Sequence, residues 1–411
     1  MPRSDRAHMR ITVVTQYYPP EMQGWIPASV ARGLAARGHD VRVVTAFPNY
    51  PFGAVFPGWS QRFGHVEHDG AVTVHRVPIV PDHSDRAGRR IVNCLSFAAS
   101  SLATTRAVRR SDVVYVHSAQ PTAAIGPMLW KALFRTPYVL HVQDVWPESV
   151  IGSGFIASER GARLARIVLL AWLRRLHRGA AHVLAIAPGA ARLLVERGSH
   201  PDRTSTVVNW AVHTPSAAER PGRGDDGTTT IVYAGNLGPN QGLDAIIRAA
   251  ARCSDLPGLR FEFVGDGLAC ERLRDLADAL GATNTTFRPP VSRERMPAVH
   301  AGADFEIVAL ADAPMSPITI PSKLQDALAN GVPVIAVVPG DAADIVRGGD
   351  AGMVVPPGDV DAIEAAFRAA HAVDSDGRAR LSANARAVVD RHMNPRLAID
   401  RIEQVLRKAA A

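Results

Sequence analysis

The sequence predicts an α/β protein built as two doubly wound domains facing a central cleft. Three observations carry this expectation. Over residues 9–209, short β-branched apolar runs alternate with stretches of helical periodicity. Residues 210–228, WAVHTPSAAERPGRGDDGT, break the rhythm with Pro, Gly, Ala and charge and read as a linker. The alternation then restarts over 229–392, and a last helix, 393–411, is expected to pack back on the first domain. Strands separated by helices imply a parallel sheet covered on both faces. Ligands of such sheets sit outside the carboxyl ends of the strands, which here means the cleft between the domains.

In order, 10–16 (RITVVTQ) is a buried strand and 26–37 a helix closed by Gly38 as C-terminal cap. The strand pattern repeats at 41–46, 72–77, 112–117, 138–142 and 182–187, with helical stretches near 91–109, 120–134, 161–178 and 189–197. In the second half, strands are expected at 230–234, 260–264, 285–288, 305–309, 334–338 and 353–355. Helices fit near 242–253, 269–280, 293–301, 323–329, 342–347, 359–372, 376–391 and 395–409. No fixed repeat argues for a solenoid.

Composition narrows the function. The 411 residues carry three dispersed cysteines and no C-x-x-C, which argues against a disulfide scaffold or a structural zinc site. No uncharged apolar run is long enough to span a bilayer, and the charged N-terminus leads straight into a strand rather than reading as a signal peptide; a cytoplasmic protein is expected. The net charge of +7 comes from arginine: of 46 basic residues only Lys131, Lys323 and Lys408 are lysine. GC-rich coding produces that bias, so the charge does not by itself point to nucleic acid, and no nucleic-acid partner is expected. There is no phosphate-binding G-x-x-x-x-G-K-[ST] and no G-x-S-x-G elbow. HVEH at 65–68 lacks metal-ligand order and reads as surface histidines in a loop. The D-x-D triplets 359–361 and 374–376 precede helical patterns and read as N-caps, so no metal site is expected.

The strongest constellation is IPSKLQDALANGVPVI, 320–335. Pro321 suits a first helical turn. Ser322 and Lys323 open a helix whose free N–H groups and positive dipole end suit a diphosphate, and Lys323 adds a point charge. Asp326, one turn on, can accept the hydroxyls of a ribose; the competing reading is a capped surface helix with an i,i+3 Lys323–Asp326 pair. Gly235, Gly238 and Gly242 allow a backbone to approach a phosphate, and Gly265 and Gly267 leave room for a base or ribose.

Taken in order, QYYPPE (16–21), RGHDVRVVT (37–45), PNYP (48–51), HVQDVWPES (141–149), VNW (208–210), GNLGPNQG (235–242), GDG (265–267), PSK (321–323) and GVPV (331–334) resemble the retaining glycosyltransferases of family four. Those enzymes have the GT-B fold, two Rossmann-like domains facing a cleft. The resemblance covers nearly the whole chain and is closest to the bacterial L-fucosamine-transferase and colanic-acid branch. It implies that Asn236 and Gln241 stand where the family usually has Arg and Lys at the phosphate loop. It also implies that Asp326 occupies the ribose-binding carboxylate place, with Ile318 where a first glutamate is usual. Thr319 and backbone N–H groups are the candidates to replace that glutamate.

In the first half the resemblance puts Gly24 in the glycine loop near the phosphates, Trp25 at a second glycine place, and both Glu21 and Trp25 on the acceptor side. His117 falls beside the sugar ring; a hydrogen-bonded histidine at a strand end is the alternative. Gln143, Asp144 and Trp146 fall on the acceptor side, Asp144 alternatively as a helix cap or ion-pair partner. The implied reaction moves a hexosyl group from a nucleoside-diphosphate sugar, a UDP-sugar first, to a hydroxyl on a glycan or lipid-linked precursor. Configuration is retained, and neither metal nor cofactor is used. His117, Lys323 and Asp144 are the catalytic candidates. Decoration of a soluble natural product is the alternative. A nucleotide-sugar epimerase would need paired carboxylates that are not seen, and a non-catalytic relative is the reading that Ile318 and Gln241 keep open. Helix 160–178 can be drawn as a basic amphipathic helix lying on an anionic membrane, or as a core-packed helix with a solvated basic face.

Overall fold

The computed structural model describes residues 8–84, 86–147, 159–211 and 227–411. Residues 1–208 and 395–411 cluster as one compact unit and residues 209–394 as another. Most of the linker expected at 210–228, residues 212–226, lies outside the described residues.

The first unit is organised on a sheet of β1 (Arg10–Val14), β2 (Asp40–Ala46), β3 (His65–Asp69), β4 (Val72–Val77), β5 (Val113–Ser118), β6 (Tyr138–Val142), β7 (His182–Ala185) and β8 (Thr204–Thr206), in the order β3-β4-β2-β1-β5-β6-β7-β8. Every pairing is parallel except β3 with β4. β5 and β6 are buried at every position, as strands covered on both faces must be, and their sequences depart from apolar character chiefly at His117 and His141. The strand order reverses between β1 and β5, the point where the carboxyl ends leave a crevice.

One expectation is corrected here. HVEH lies not in a loop but on the antiparallel edge strand β3, joined to β4 through Gly70 at φ +59°. An edge strand facing water needs no apolar run, so its sequence carries no buried-strand signal. The C-terminal helix, Pro395–Ala410, packs in this unit: Ile399 fills the place where a Cβ of Gly33 would stand, and Arg37 pairs with Asp400. Buried His39 accepts the Met9 N–H at Nδ1, so its Nε2 donates to Glu403, 3.1 Å away. Burial opposes ionisation of Glu403, but hydrogen bonds from Arg407 and His39 outweigh it and hold the carboxyl below its ordinary range.

The second unit is a wholly parallel sheet of β9 (Thr229–Ala234), β10 (Leu259–Val264), β11 (Thr285–Arg288), β12 (Phe305–Ala309), β13 (Val334–Val337) and β14 (Gly352–Val355). Its order, β11-β10-β9-β12-β13-β14, is the dinucleotide-fold order with the reversal between β9 and β12. Tyr233, Phe261, Phe263 and Phe305 form one core with Ile246 and Ile247 of helix Leu243–Arg252 and Phe367 of helix Val360–His371. Both D-x-D triplets are helix caps, Asp359 accepting from the Ala362 N–H at 3.0 Å and Asp374 from the Gly377 N–H at 2.8 Å. Among the described residues no helix is long and apolar enough to cross a membrane.

The cap geometry yields a stability prediction. Asp359→Ala should lower the unfolding free energy of this unit by about 1 kcal/mol, the usual loss of an N-cap. Urea unfolding followed by circular dichroism measures it, and no change would show that the bond is replaced by water at no cost.

Candidate active site

In the second unit the switch point gathers the predicted residues. Where β9 ends, Gly235 takes φ +130°, and a Cβ there would lie 2.5 Å from Cε of Lys323. The lysine stem therefore crosses the backbone at the one position without a side chain. Its ammonium sits 5.3 Å from the centroid of the Tyr233 ring, within cation–π range. Desolvation lowers the Lys323 pKa, and Asp326 on the same helix opposes part of that shift. No ion pair of Lys323 is found among the described residues, so the competing reading of a closed Lys323–Asp326 surface pair is not met within 4 Å.

The helix runs Ser322–Ala329 with Pro321 at the N-cap position, extended at φ −66° and ψ 142°, rather than inside the first turn as expected. No side chain caps it. Its first N–H groups and dipole end are thus left for an anion. Thr319 donates its hydroxyl to the Met315 carbonyl at 2.7 Å, which uses the proton but leaves oxygen lone pairs. Ile318 closes the short 3₁₀ turn Ser316–Ile318.

The glycines are explained differently from the expectation. At Gly265, φ +153°, a Cβ would lie 1.9 Å from the Gly235 carbonyl oxygen; at Gly267, φ +156°, it would meet Asn236 Oδ1 and the Leu237 carbonyl. The room expected there for a base or ribose is taken by the chain's own backbone. Gln241 folds onto its loop, accepting the Gly238 N–H at 3.2 Å, and a Gly238 Cβ would meet Asn236 Nδ2. Tyr233 donates to the Asn236 carbonyl at 2.6 Å and ties the loop to β9.

In the first unit His117 is the next-to-last residue of β5. It is 6 % exposed, and its Nδ1 is buried without a partner among the described residues. Its ring meets that of His141 edge-on at 6.0 Å. Desolvation, then His141, pushes its pKa well below the ordinary value, so it is neutral. His141 was not singled out from the sequence. Its Nε2 faces the Val207 carbonyl at 3.3 Å, which only accepts; its Nδ1 therefore accepts from the Tyr115 hydroxyl at 2.6 Å. Burial pushes the His141 pKa down to about 4. The signal was present as two polar residues inside apolar strands. Buried Gln16, Asn93 and Gln120 form a second polar chain of this kind, Gln16 donating to Asn93 at 2.8 Å and accepting from Gln120.

Asp144 keeps an exposed face, while desolvation by the protein around it raises its carboxyl to about 6. Among the described residues it makes neither a helix cap nor an ion pair. The Gln143 N–H continues the sheet to the Ser118 carbonyl, and the Trp146 indole donates to the Ala119 carbonyl at 3.3 Å. One expectation is corrected. Glu21 is fully buried and its carboxylate accepts the N–H groups of Asn49, Tyr50 and Tyr18, so it clamps a loop and does not face an acceptor. At Gly24 a Cβ would lie 2.3 Å from the Tyr18 backbone, so the fold itself requires the glycine there. Trp25 begins the helix Trp25–Ala36, with the Arg32 guanidinium 5.8 Å from its ring.

Comparison with known proteins agrees with this architecture. Residues 24–210 match the glycosyl transferase 4-like domain and residues 217–388 the glycosyl transferases group 1 domain. The putative colanic acid biosynthesis glycosyl transferase WcaI of Escherichia coli is 31% identical over 340 residues, covering 79% of this chain and 82% of that one. A GDP-mannose-dependent alpha-mannosyltransferase of Mycobacterium tuberculosis is 26% identical over 364 residues, 85% of each chain. Anabaena Alr3699/HepE, solved in complex with UDP, superposes with a TM-score of 0.69 at 17% identity, over 97% of this chain and 99% of that one, a likeness of fold. With both halves matched, and with a relative above 30% identity aligned along most of both chains, this protein belongs to the GT-B glycosyltransferases of family four.

Proposed function

We propose that this glycosyltransferase moves a hexosyl group from a nucleoside-diphosphate sugar, a UDP-sugar first, to a hydroxyl of a glycan or lipid-linked precursor, with retention and without a metal. The observation that carries the reading is Lys323 laid across Gly235 beside the uncapped start of the helix Ser322–Ala329. That pairing is an anion site built from a point charge, free N–H groups and a helix dipole. The UDP named in a solved structure of the same fold supports a nucleoside diphosphate there; a related GDP-mannose enzyme keeps the base open to test. The match to a colanic-acid enzyme supports a polysaccharide role in the branch that the sequence resembles.

In this scheme the bond from anomeric carbon to diphosphate breaks and one to the acceptor oxygen forms on the same face. The acceptor proton passes to the departing diphosphate. Gly235, Asn236, Gly238 and Gln241 shape the loop that receives the nucleotide, and Gly265 and Gly267 let it pack closely against the end of β10. Ser322 and Lys323 stabilise the growing negative charge, a contribution made mainly in the transition state. Asp326 accepts ribose hydroxyls, and Thr319 offers its lone pairs to the sugar. His117, neutral and with Nδ1 unpartnered, accepts from a sugar hydroxyl. Asp144, with Gln143 and Trp146, serves the acceptor. Exposed Arg163, Arg166, Ile167 and Val168 on the helix Glu159–Gly179 support peripheral contact with an anionic membrane.

A panel of nucleotide sugars, read by release of the nucleoside diphosphate and by product mass, tests the reading; no turnover with any donor overturns it. Lys323→Ala should lower kcat by about 10²–10³ with a smaller change in donor affinity, the loss typical of one transition-state donor. Lys323→Arg should restore only part of the rate, because a planar fork replaces a point charge. Near-parental turnover in Lys323→Ala would return the lysine to a surface role.

Asp326→Asn should weaken nucleoside-diphosphate binding by about 1.5–3 kcal/mol, the scale of a hydrogen bond to a charged group, as read by calorimetry. Equal dissociation constants for the uridine, guanosine and deoxythymidine diphosphates in parent and variant would remove the ribose role.

A pH profile isolates Asp144. With its carboxyl raised to about 6, it is ionised above that pH and protonated below. Activity that needs the carboxylate should fall as pH drops through this value, and Asp144→Asn should lose rate and flatten that acidic limb. An unchanged limb in the variant assigns it to another group.

A further inference from the structure

The first unit holds a second concave site, on the sheet edge rather than at the strand ends described above. A cavity of about 470 Å³ is lined by Arg42 of β2, His65 of β3, His75 of β4 and the segment that carries Arg106, Arg109 and Arg110. Its volume is within the range of small-molecule sites. Among the described residues no aspartate or glutamate lines it.

A charge account separates the arginines that build the wall from those that remain. Arg76, also on the lining, is spent: it donates to the Ala46 carbonyl at 3.0 Å and to Glu67 at 2.8 Å, with its guanidinium 4.5 Å from the Trp59 ring. Arg42 is paired with Asp40 at 2.7 Å and donates to the Ala107 carbonyl at 3.3 Å. Arg106, Arg109 and Arg110 are exposed and form no ion pair with any described residue. His75 is held neutral, its pKa lowered by burial and then by Arg42. The His65 Nδ1 is buried without a partner among the described residues.

Local structure keeps the three arginines together on the lining. The helix Thr105–Val108 is a single turn, closed by Arg109 N–H to the Thr105 carbonyl at 2.9 Å and Ser111 N–H to the Val108 carbonyl at 2.8 Å. The following chain is pinned, Ser111 to Thr12 at 2.7 Å between hydroxyls and Asp112 to Arg10 at 2.8 Å. Three like charges on one cavity lining repel one another unless an anion lies among them. Guanidinium forks match phosphate oxygens bidentately. The cavity is larger than one phosphate fills, and Phe63, 64 % exposed, adds apolar surface to the lining.

We propose that this cavity is a second, non-catalytic site that binds a phosphate ester, held by Arg106, Arg109 and Arg110 over the His75 floor. The phosphate is carried either by a soluble ester or by a lipid headgroup, and two probes tell these apart. Pyrophosphate is titrated calorimetrically into the full chain, and cosedimentation is measured with vesicles of phosphatidylcholine containing phosphatidic acid. Both are run in a Lys323→Ala background, so that binding at the donor site is reduced, and again with Arg106→Ser and Arg110→Ser added. The two serine changes should weaken pyrophosphate binding at least about tenfold, the scale of losing charge-assisted hydrogen bonds. In the parent chain, the same two changes should leave sugar transfer unchanged. A parallel loss of vesicle binding assigns a lipid headgroup; a loss confined to pyrophosphate assigns a soluble ester. Arg109→Ser alone, with an unchanged circular dichroism spectrum, serves if the double change does not fold. Identical behaviour with both probes in variant and reference, or no binding of either probe by the reference chain, overturns the proposal.

Discussion

At the carboxyl end of β9 the backbone runs so close to its neighbours that side chains have no room. The Gly235 carbonyl stands 1.9 Å from where Gly265 would carry a Cβ, and the Lys323 stem occupies the corresponding place at Gly235. This steric constraint organises the second unit's functional end. It accompanies the bonds that end the ladders, Gly235 N–H to the Val264 carbonyl between β9 and β10 and Gly265 N–H to the Arg288 carbonyl between β10 and β11. It also delivers a lysine from a helix far along the chain onto the first strand. A methyl group at either glycine would push the strand ends apart and displace the ammonium from the start of its helix. The anion site is thus a consequence of missing side chains, and the glycines act through the protein's own packing before they act on a ligand.

The first unit meets the same problem, polar chemistry at the ends of apolar strands, by a different device. His117 and His141 are buried in strands with no water to hydrate an imidazolium, so both are neutral. Tyr115 and the Val207 carbonyl use both nitrogens of His141 and fix its tautomer. Among the described residues the His117 Nδ1 finds no partner, which costs free energy unless a ligand supplies one. Glu21 shows the opposite outcome: a carboxylate in a motif-like loop whose acceptor capacity is taken by three backbone N–H groups. The difference between a site residue and a scaffold residue is which of its polar atoms remain unspent.

The same accounting applies to the charge of the whole chain. An excess of arginine is unremarkable as composition, but its distribution is not uniform in function. Arg76 and Arg42 are consumed by carbonyls and carboxylates within the fold, whereas Arg106, Arg109 and Arg110 line one cavity and form no ion pair with any described residue. Composition cannot distinguish these cases because it does not know which carboxylates fold back onto which guanidinium groups.

Much of the architecture was legible in the chain alone, because buried parallel strands must be apolar and short and their helices amphipathic. The strands 72–77, 138–142, 285–288 and 305–309 have the bounds read from pattern, and Asp359 and Asp374 are the caps that their spacing indicated. The edge strand His65–Asp69 was not legible, since a solvent-facing edge imposes no apolar period. Lys323 and Asp326 stood out because helix-start chemistry is local and is written in consecutive residues. What only the tertiary structure decided were relations between residues distant in sequence: that Lys323 lies over Gly235, that Tyr115 and Val207 hold His141, that Asn49 and Tyr50 consume Glu21, and that Arg42 and Arg110 share a cavity. Local sequence sets the dihedral preferences and faces of each element, but which polar atoms are left over depends on what the fold brings against them.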